Sequence, residues 1–349
     1  MAIFITGGTG FIGRKLIERL SQGDEALHLL VRSQSSISGL RKNEKIHFFY
    51  GDVTDENSVL EGMKGCDKVY HLAAYARNWS FDENQYYKVN VTGAINVFEA
   101  SLRNKVQKVV FTSSCVTLGP SSDGIVTEKD WRKRNHFYTE YEKSKYSAEL
   151  EALKFVDKGL NLVMVNPTRV YGPGLLTEAN SVTRIAQQYV EGKFPVILNH
   201  GKEIANYAFV EDVVSGQILA MEKGKNGERY LLGGDNISLK NLFALLNEIT
   251  ETKHLQISIP PKIARFVAWI EEKKADIFKK YPMISRDWVD TFLQNWIYSS
   301  EKAEKELGYK YLPLKQGLKI TCDWILNQKT VSNKNPRRLL PQAKQVYNE

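Results

Sequence analysis

Ala2-Ile3-Phe4-Ile5-Thr6-Gly7-Gly8-Thr9-Gly10-Phe11-Ile12-Gly13 is the stretch that decides the fold. Its first four residues form an apolar run too short for a core helix and suited to a buried parallel strand. After the glycines, Ile12, Leu16, Ile17 and Leu20 recur at helical spacing. Strand, glycine turn and helix in that order are the context a dinucleotide fingerprint needs. Gly7 permits the tight turn, Gly10 leaves room for a pyrophosphate, and Gly13 lets the helix pack close to the strand. The helix start then offers unpaired N–H groups to phosphate.

Outward from that turn, strand and helix patterns alternate. Strands are predicted at Ala26–Val31, Ile46–Tyr50, Lys68–Leu72, Val106–Thr112 and Leu160–Val165. Helical patterns run through Val59, Leu60 and Met63, over Tyr87–Leu102 and over Tyr141–Lys158. This predicts an α/β chain whose residues 1–170 form a doubly wound parallel sheet, a Rossmann fold. The turn-rich Asn166-Pro167-Thr168-Arg169-Val170-Tyr171-Gly172-Pro173-Gly174 takes the chain off the sheet. Residues 171–327 predict a smaller mixed α/β substrate lobe, with room for some of its elements to return to the first sheet. Its patterns are helices at Val182–Glu191, Val210–Glu222, Leu239–Glu251, Pro261–Phe278, Glu301–Leu307 and Leu314–Leu326, and strands at Phe194–Leu198 and Glu228–Leu232. Residues 328–349 read as a basic, polar, mobile tail.

Composition narrows the class. Apolar residues at 42% and charged ones at 25% fit a soluble globular protein. Cys66, Cys115 and Cys322 are widely spaced, which predicts reduced thiols in a cytoplasmic setting, without disulfide or zinc cluster. Six histidines without paired ligand spacing predict no metal. No signal peptide or spanning segment is visible. The net charge of +8 lacks a reading element, so no nucleic-acid role is expected. Pro261–Phe278 is amphipathic and could pack over a pocket or lie on a membrane surface; packing is the expectation, with peripheral membrane contact as the alternative.

The cofactor residues follow the strand ends. Arg32 with Ser33, Ser35 and Ser36 stands where an NAD fingerprint wants an acid, which favours NADP(H) and leaves NAD(H) possible. Asp52 could accept from the adenine amino group, and Ala73-Ala74 let the backbone approach the cofactor. Asn90 is placed to hold the loop behind the catalytic strand, and the backbone after Asn166-Pro167 to line the nicotinamide. Tyr75, Arg77, Trp79 and Phe81 mark where substrate contacts begin.

Tyr141-Glu142-Lys143-Ser144-Lys145 carries the chemistry. A phenol and an ammonium four residues apart share one helix face. A nearby cation favours the phenolate and lowers its pKa, which suits acid–base work beside a nicotinamide. Ser114, ending the preceding strand, can hold the substrate oxygen, with Ser113 as its rival. The flanking positions complete the candidate site: Thr6, Phe11, Ile12, Val53, Leu72, Thr112, Pro167, Arg169 and Val170 toward cofactor, and Cys115, Val116 and Tyr207 toward substrate.

At these residues the chain resembles the extended short-chain dehydrogenase/reductases of the NAD-dependent epimerase/dehydratase superfamily. The likeness spans residues 2–327 and rests on Thr6–Gly13, Gly51–Asp55, His71–Ala74, Asn90, Ser113-Ser114, Tyr141 with Lys145, and Gly172-Pro173-Gly174. Within it, the sequence is similar to dihydroflavonol 4-reductase-like, 3-beta-hydroxysteroid dehydrogenase-like and, above all, farnesol dehydrogenase-like proteins, through Phe137–Lys145, Gly172–Asn180 and Glu222–Leu232. The resemblance implies Ser114, Tyr141 and Lys145 as catalytic residues, and Gly7, Gly10, Gly13, Arg32 and Asp52 at the cofactor. It also implies a homodimer through Tyr87–Leu102 and Tyr141–Lys158. Nucleotide-sugar members carry an arginine before their Val-Glu-Asp-Val element, where this chain has Asn206-Tyr207-Ala208-Phe209.

The expectation is therefore an NAD(P)-dependent oxidoreductase interconverting an alcohol and an aldehyde or ketone on a largely apolar substrate. The alternative is a sugar or nucleotide-sugar epimerase/dehydratase with retained cofactor. A non-catalytic cofactor sensor on the same scaffold would have no need of the Tyr141–Lys145 pair.

Overall fold

Seven strands lie in one all-parallel sheet: β1 (Ala2–Thr6), β2 (Ala26–Val31), β3 (Ile46–Tyr50), β4 (Lys68–His71), β5 (Lys108–Thr112), β6 (Leu162–Pro167) and, much later, β10 (Arg229–Leu232). Between the last two come β7 (Arg169–Tyr171), β8 (Val196–Leu198) and β9 (Ile204–Phe209), with β11 (Asp235–Ser238) and β12 (Ile257–Ile259) following. The computed structural model describes residues 1–334 apart from 38, 39, 41, 42, 123, 131, 133–135, 178, 179, 194, 195 and 255. For 35, 36 and 329–334 it gives the backbone alone.

The spatial order is β10-β6-β5-β4-β1-β2-β3. The order reverses between β1 and β4, which opens a crevice at their carboxyl ends. Both faces are covered. Helix Phe11–Leu20 packs with Val210–Lys223 and Glu301–Leu307 on one side. Helices Glu56–Met63, Gly93–Arg103 and Glu140–Asp157 pack on the other, around Phe4, Phe98 and Phe111. Each such ring taken fully out of water contributes about 1.5–3 kcal/mol, and this two-sided burial is why the strands read as continuous apolar runs.

The doubly wound parallel sheet with a smaller mixed lobe is therefore the architecture observed. Residues 210–232 come back to it: β10 pairs with β6, Tyr230 opposite Val165. The lobe itself has a three-stranded sheet, β11-β9-β7, and a pair, β12-β8. Its core gathers Tyr171, Tyr189, Phe243, Leu246 and Leu318.

Strands β7, β9, β11 and β12 and the helix Arg286–Phe292 lie outside the expected pattern, and three expected elements differ in extent. The helix expected at Tyr87–Leu102 begins at Asn84 and widens into a π turn at Lys88–Thr92. The last helix continues past its apolar stripe to Lys334. The strand expected from Phe194 is seen at Val196–Leu198, residues 194 and 195 lying outside the described ones. Among the described residues no helix is long and apolar enough to cross a membrane.

Candidate active site

The glycine turn is as tight as its spacing requires. Gly7 has φ +70°, and a Cβ there would stand 2.5 Å from the Ala73 amide nitrogen. A Cβ on Gly13 would stand 2.2 Å from the Gly7 carbonyl oxygen, itself the acceptor of the Gly10 N–H at 3.0 Å. No side chain caps the helix that starts at Phe11, and its first turn holds no acid. Its N-terminal N–H groups therefore point toward the crevice as an anion site. Thr6 braces the turn: its hydroxyl accepts from the Ala73 N–H at 3.2 Å and lies 2.6 Å from His71 Nδ1. His71 is fully buried, and its pKa is pushed down to about 3, mainly by burial and further by Lys145. It is a neutral packing group stacked on Phe111.

Gly13→Ala is expected to cost about 1–3 kcal/mol, as overpacking does. Dinucleotide affinity should drop at least about tenfold, because the displaced carbonyl belongs to the turn itself. Thermal melts and equilibrium binding would check both; unchanged affinity would contradict the assignment of this turn.

The catalytic candidates converge at the ends of β5 and the Glu140–Asp157 helix. Thr139 caps that helix by accepting from the Glu142 N–H, which places Tyr141 in its first turn. Of the two strand-end serines, Ser114 is the one whose side chain reaches the Tyr141 hydroxyl. Ser113 is buried beside it, and neither its hydroxyl nor that of Thr112 has a hydrogen-bond partner among the described residues.

The Tyr141 pKa is raised to about 12: burial pushes it up, Ser114 pulls it down and the Cys115 thiol adds a small upward push. Lys145 was expected to lower it, yet its ammonium turns to the Thr112 carbonyl at 2.9 Å and stands 4.5 Å from the centre of the Phe111 ring. Lys145 is itself buried, and desolvation holds its pKa down to about 8 against the pull of Glu149. Burial outweighs the Ser114 hydrogen bond at Tyr141 and the Glu149 charge at Lys145.

Beneath them lies a polar network that local pattern did not reveal. Glu149 Oε1 accepts from Asn166 Nδ2 at 2.6 Å and from the Thr117 hydroxyl at 3.0 Å, and the carboxylate pairs with Arg229 at 3.4 Å. Asn166 Nδ2 also donates to the Ser114 carbonyl at 3.0 Å. This ties three strand ends to the catalytic helix. Glu149 was visible on the Tyr141–Lys145 face, whereas Arg229 is remote in sequence and gave no signal. A second buried pair joins Arg132 to Glu142 at 2.7 Å. In the basic run Arg132-Lys133-Arg134 beside Trp131, only Arg132 is among the described residues.

Asn90 lies buried in the π turn. From the π turn its side chain accepts the Tyr75 N–H at 2.7 Å and donates to Ser144 at 2.9 Å, linking the loop after β4 to the catalytic helix. A π turn at such a place is a common functional device. In that loop Arg77 lies over the rings of Tyr75 and Tyr281. Trp79 and Phe81 pack on Tyr281 as well, so the loop meets the second lobe.

The remaining candidates are placed as follows. Asp52 accepts from the N–H and hydroxyl of Thr54, both at 2.9 Å. Val53 is buried against Gly93, and Phe11 against Gly174. Ile12, Leu72 and Ala74 are half-buried around the turn. Pro167 ends β6, and Val170 is buried in β7. Cys115 is buried and Val116 half-buried beyond Ser114.

Arg169 opens β7. Its guanidinium lies over the Phe292 ring at 4.3 Å and meets the Tyr207 hydroxyl. The two residues line a small surface depression with Leu198, Glu203, Phe292 and Gln294.

The glycine turn, the uncapped helix start and the unpartnered hydroxyls of Thr112 and Ser113 fit a bound dinucleotide. Its nicotinamide end would lie toward Tyr141.

Comparison with known proteins agrees. The NAD dependent epimerase/dehydratase family matches residues 3–233. A putative dihydroflavonol 4-reductase of Synechocystis is 31% identical over 93% of this chain and 94% of its own. The solved structure of UDP-glucose 4-epimerase from Thermotoga maritima, with UDP-glucose, is 25% identical. It superposes with a TM-score of 0.77 over 95% of this chain and 100% of that one. The UDP-glucuronic acid 4-epimerase of Bacillus cereus with NAD shares the fold at 22% identity, TM-score 0.73, over 94% and 99%.

These findings correct the preference for NADP(H) drawn from Arg32. The family is described as NAD dependent, and the Bacillus neighbour was solved with NAD. Arg32 follows β2 and is exposed, where a guanidinium can stack on adenine as readily as meet a phosphate, so the cation alone does not select the dinucleotide. The side chains of Ser35 and Ser36 lie outside those described. Fold and relatives make the protein a nicotinamide-dependent oxidoreductase working between CH–OH and C=O groups. With most of its length matched and its crevice built for a dinucleotide, this chain belongs to the NAD dependent epimerase/dehydratase family.

Proposed function

We propose that the chain oxidises and reduces a carbinol carbon with Tyr141 as acid and base, Ser114 holding the substrate oxygen and Lys145 as the buried cation beneath. The convergence of Ser114 on the Tyr141 hydroxyl carries this reading. NAD, when bound, supplies the hydride acceptor or donor at its nicotinamide ring. The residues 6–13 turn would hold its pyrophosphate, and Thr112 with Lys145 would face its nicotinamide half. In oxidation Tyr141 takes the hydroxyl proton; in reduction it returns that proton to the carbonyl oxygen. The Glu149–Asn166–Arg229 network keeps the β5 and β6 ends rigid under it.

For the substrate, the retained-cofactor sugar or nucleotide-sugar reading has the wider support. The case for a largely apolar substrate drew on the stretch Asn206–Phe209 lacking the arginine of nucleotide-sugar members and on Tyr207 and Phe209 within it. Asn206 is buried and tied to Thr168, Gly234, Asn236 and the Tyr298 carbonyl, so it faces no cleft. Arg169 brings a cation to the small depression beside Tyr207, with Glu203 and Gln294 also lining it. The apolar alcohol or carbonyl reading stands second, on the name of the Synechocystis relative.

The test is to measure NAD in the protein as purified and then offer UDP-glucose beside farnesol and flavonoid ketones. Near-full NAD occupancy with isomerisation or dehydration of the sugar supports the first substrate reading. Release of reduced cofactor with an apolar alcohol would replace it with the second.

Arg169→Leu is expected to raise KM about 10–100-fold for a substrate bearing a phosphate or carboxylate, the worth of a charge-assisted pair. NAD occupancy should stay unchanged. Loss of NAD with KM intact would return Arg169 to the cofactor side.

A further inference from the structure

The helix Pro261–Phe278 is turned the opposite way from an ordinary surface helix. It meets the body through small residues: Ala264 and Ala268 pack with Val289, Trp288 and Leu293, and Ala275 is buried further along. Its large apolar side chains face outward: Phe266 is 60% exposed, Ile277 73% and Phe278 67%, with Ile263, Val267 and Trp269 also exposed. Beyond its end, Met283 is 93% exposed. At 100° per residue, Ile263, Phe266, Ile270 and Ile277 form one stripe roughly opposite the alanines. Isolated exposed apolar residues are ordinary, but a contiguous stripe of this size marks an interaction surface.

What flanks the stripe indicates what covers it. Lys262 and Lys273 border one side and Lys274 the other, while Lys279 and Lys280 follow the helix. Four of the five charged residues on its exposed side are basic: Lys262, Arg265, Lys273 and Lys274, with Asp276 as the exception. Glu271 pairs with Lys274 one turn on along the helix, and the half-buried Glu272 turns to the body, where it pairs with Arg286. A second copy on the same face would bring lysine rows together with no acidic row to meet them. Apolar and aromatic side chains bordered by lysines suit the headgroup boundary of an anionic bilayer: rings and branched chains enter, and ammonium groups stay at the phosphates.

We infer that this helix is a peripheral docking surface for an anionic phospholipid membrane. Tyr281, just past its end, packs on Arg77, Trp79 and Phe81 of the loop after β4. Docking through this face therefore holds that loop at the bilayer. The inference does not rest on the substrate reading; it stands on the orientation of the helix.

The test is co-sedimentation of the full chain with phosphatidylcholine vesicles, with and without phosphatidylglycerol, for the wild type and for the triple variant Phe266→Ser, Trp269→Ser, Ile277→Ser. These residues lie outside the catalytic set, so NAD binding and melting temperature monitor folding. The wild type should partition to the anionic vesicles, weaken in high salt, and lose at least about tenfold in partitioning in the variant. Three results would overturn the proposal: no wild-type binding, equal binding by a folded variant (which would place binding in the basic tail), or a wild-type dimer that the variant splits.

Discussion

Tyr141→Phe should lower kcat by about a thousandfold while leaving NAD binding and melting temperature near wild type. Positioned acid–base groups contribute about 10²–10⁴-fold, and Tyr141 is the hydroxyl that Ser114 meets. Phenylalanine keeps the ring and removes only the proton carrier. The direction of the pH profile follows from the same side chain. Burial raises the phenol toward about 12, so it is protonated at neutral pH and ready to donate in reduction. Oxidation needs the phenolate, whose fraction grows as pH rises toward that value. Oxidation rates should therefore climb with pH above neutrality in the wild type, and this dependence should vanish in the phenylalanine variant. Steady-state assays in both directions would check it; a variant within tenfold of wild type would exclude Tyr141 as the proton carrier.

Lys145→Met should separate activity from stability. The buried ammonium is held at a pKa of about 8 against an ordinary 10.5, so carrying its charge at neutral pH costs about 3 kcal/mol. Methionine removes that cost and leaves the Thr112 carbonyl without its donor, a loss of about 1 kcal/mol. The variant should melt a few degrees higher at pH 7. Between about 8 and 10.5 the unfolded chain binds a proton that the native lysine has lost, so wild-type stability rises with pH there. The advantage of the variant should shrink across that window. Its kcat should fall at least about a hundredfold, since the cation beneath the phenol and nicotinamide is gone. Thermal melts across pH with parallel assays would decide; a variant less stable at pH 7 and unaffected in kcat would make Lys145 a structural residue.

Much of this was legible because it is local. The turn from Thr6 to Gly13 leaves no choice at Gly7 and Gly13, where a Cβ would strike the backbone. Tyr141 and Lys145 share a face by helical spacing alone, and the parallel strands announce themselves by two-sided burial. The balance at the site was not legible. Whether Lys145 lowers the Tyr141 phenol depends on where its ammonium turns, and the Thr112 carbonyl across the sheet takes it. The stretch from Asn206 suggested a less charged ligand, but tertiary contacts draw Asn206 inward, where it meets Thr168. Pro261–Phe278 had its ends read correctly, since Pro at the start and the apolar period mark them. The periodicity shows that an apolar face exists; only packing shows that the body takes the alanines. The return of β10 to β6 is likewise a long-range pairing that no local pattern encodes.

The most direct measurement of the central claim is a single turnover: NAD-loaded protein mixed with substrate, the absorbance of reduced nicotinamide followed in time, wild type beside Tyr141→Phe. Reduced cofactor should form rapidly in the wild type and about a thousandfold more slowly in the variant. Equal rates, with the same cofactor content in both, would contradict it.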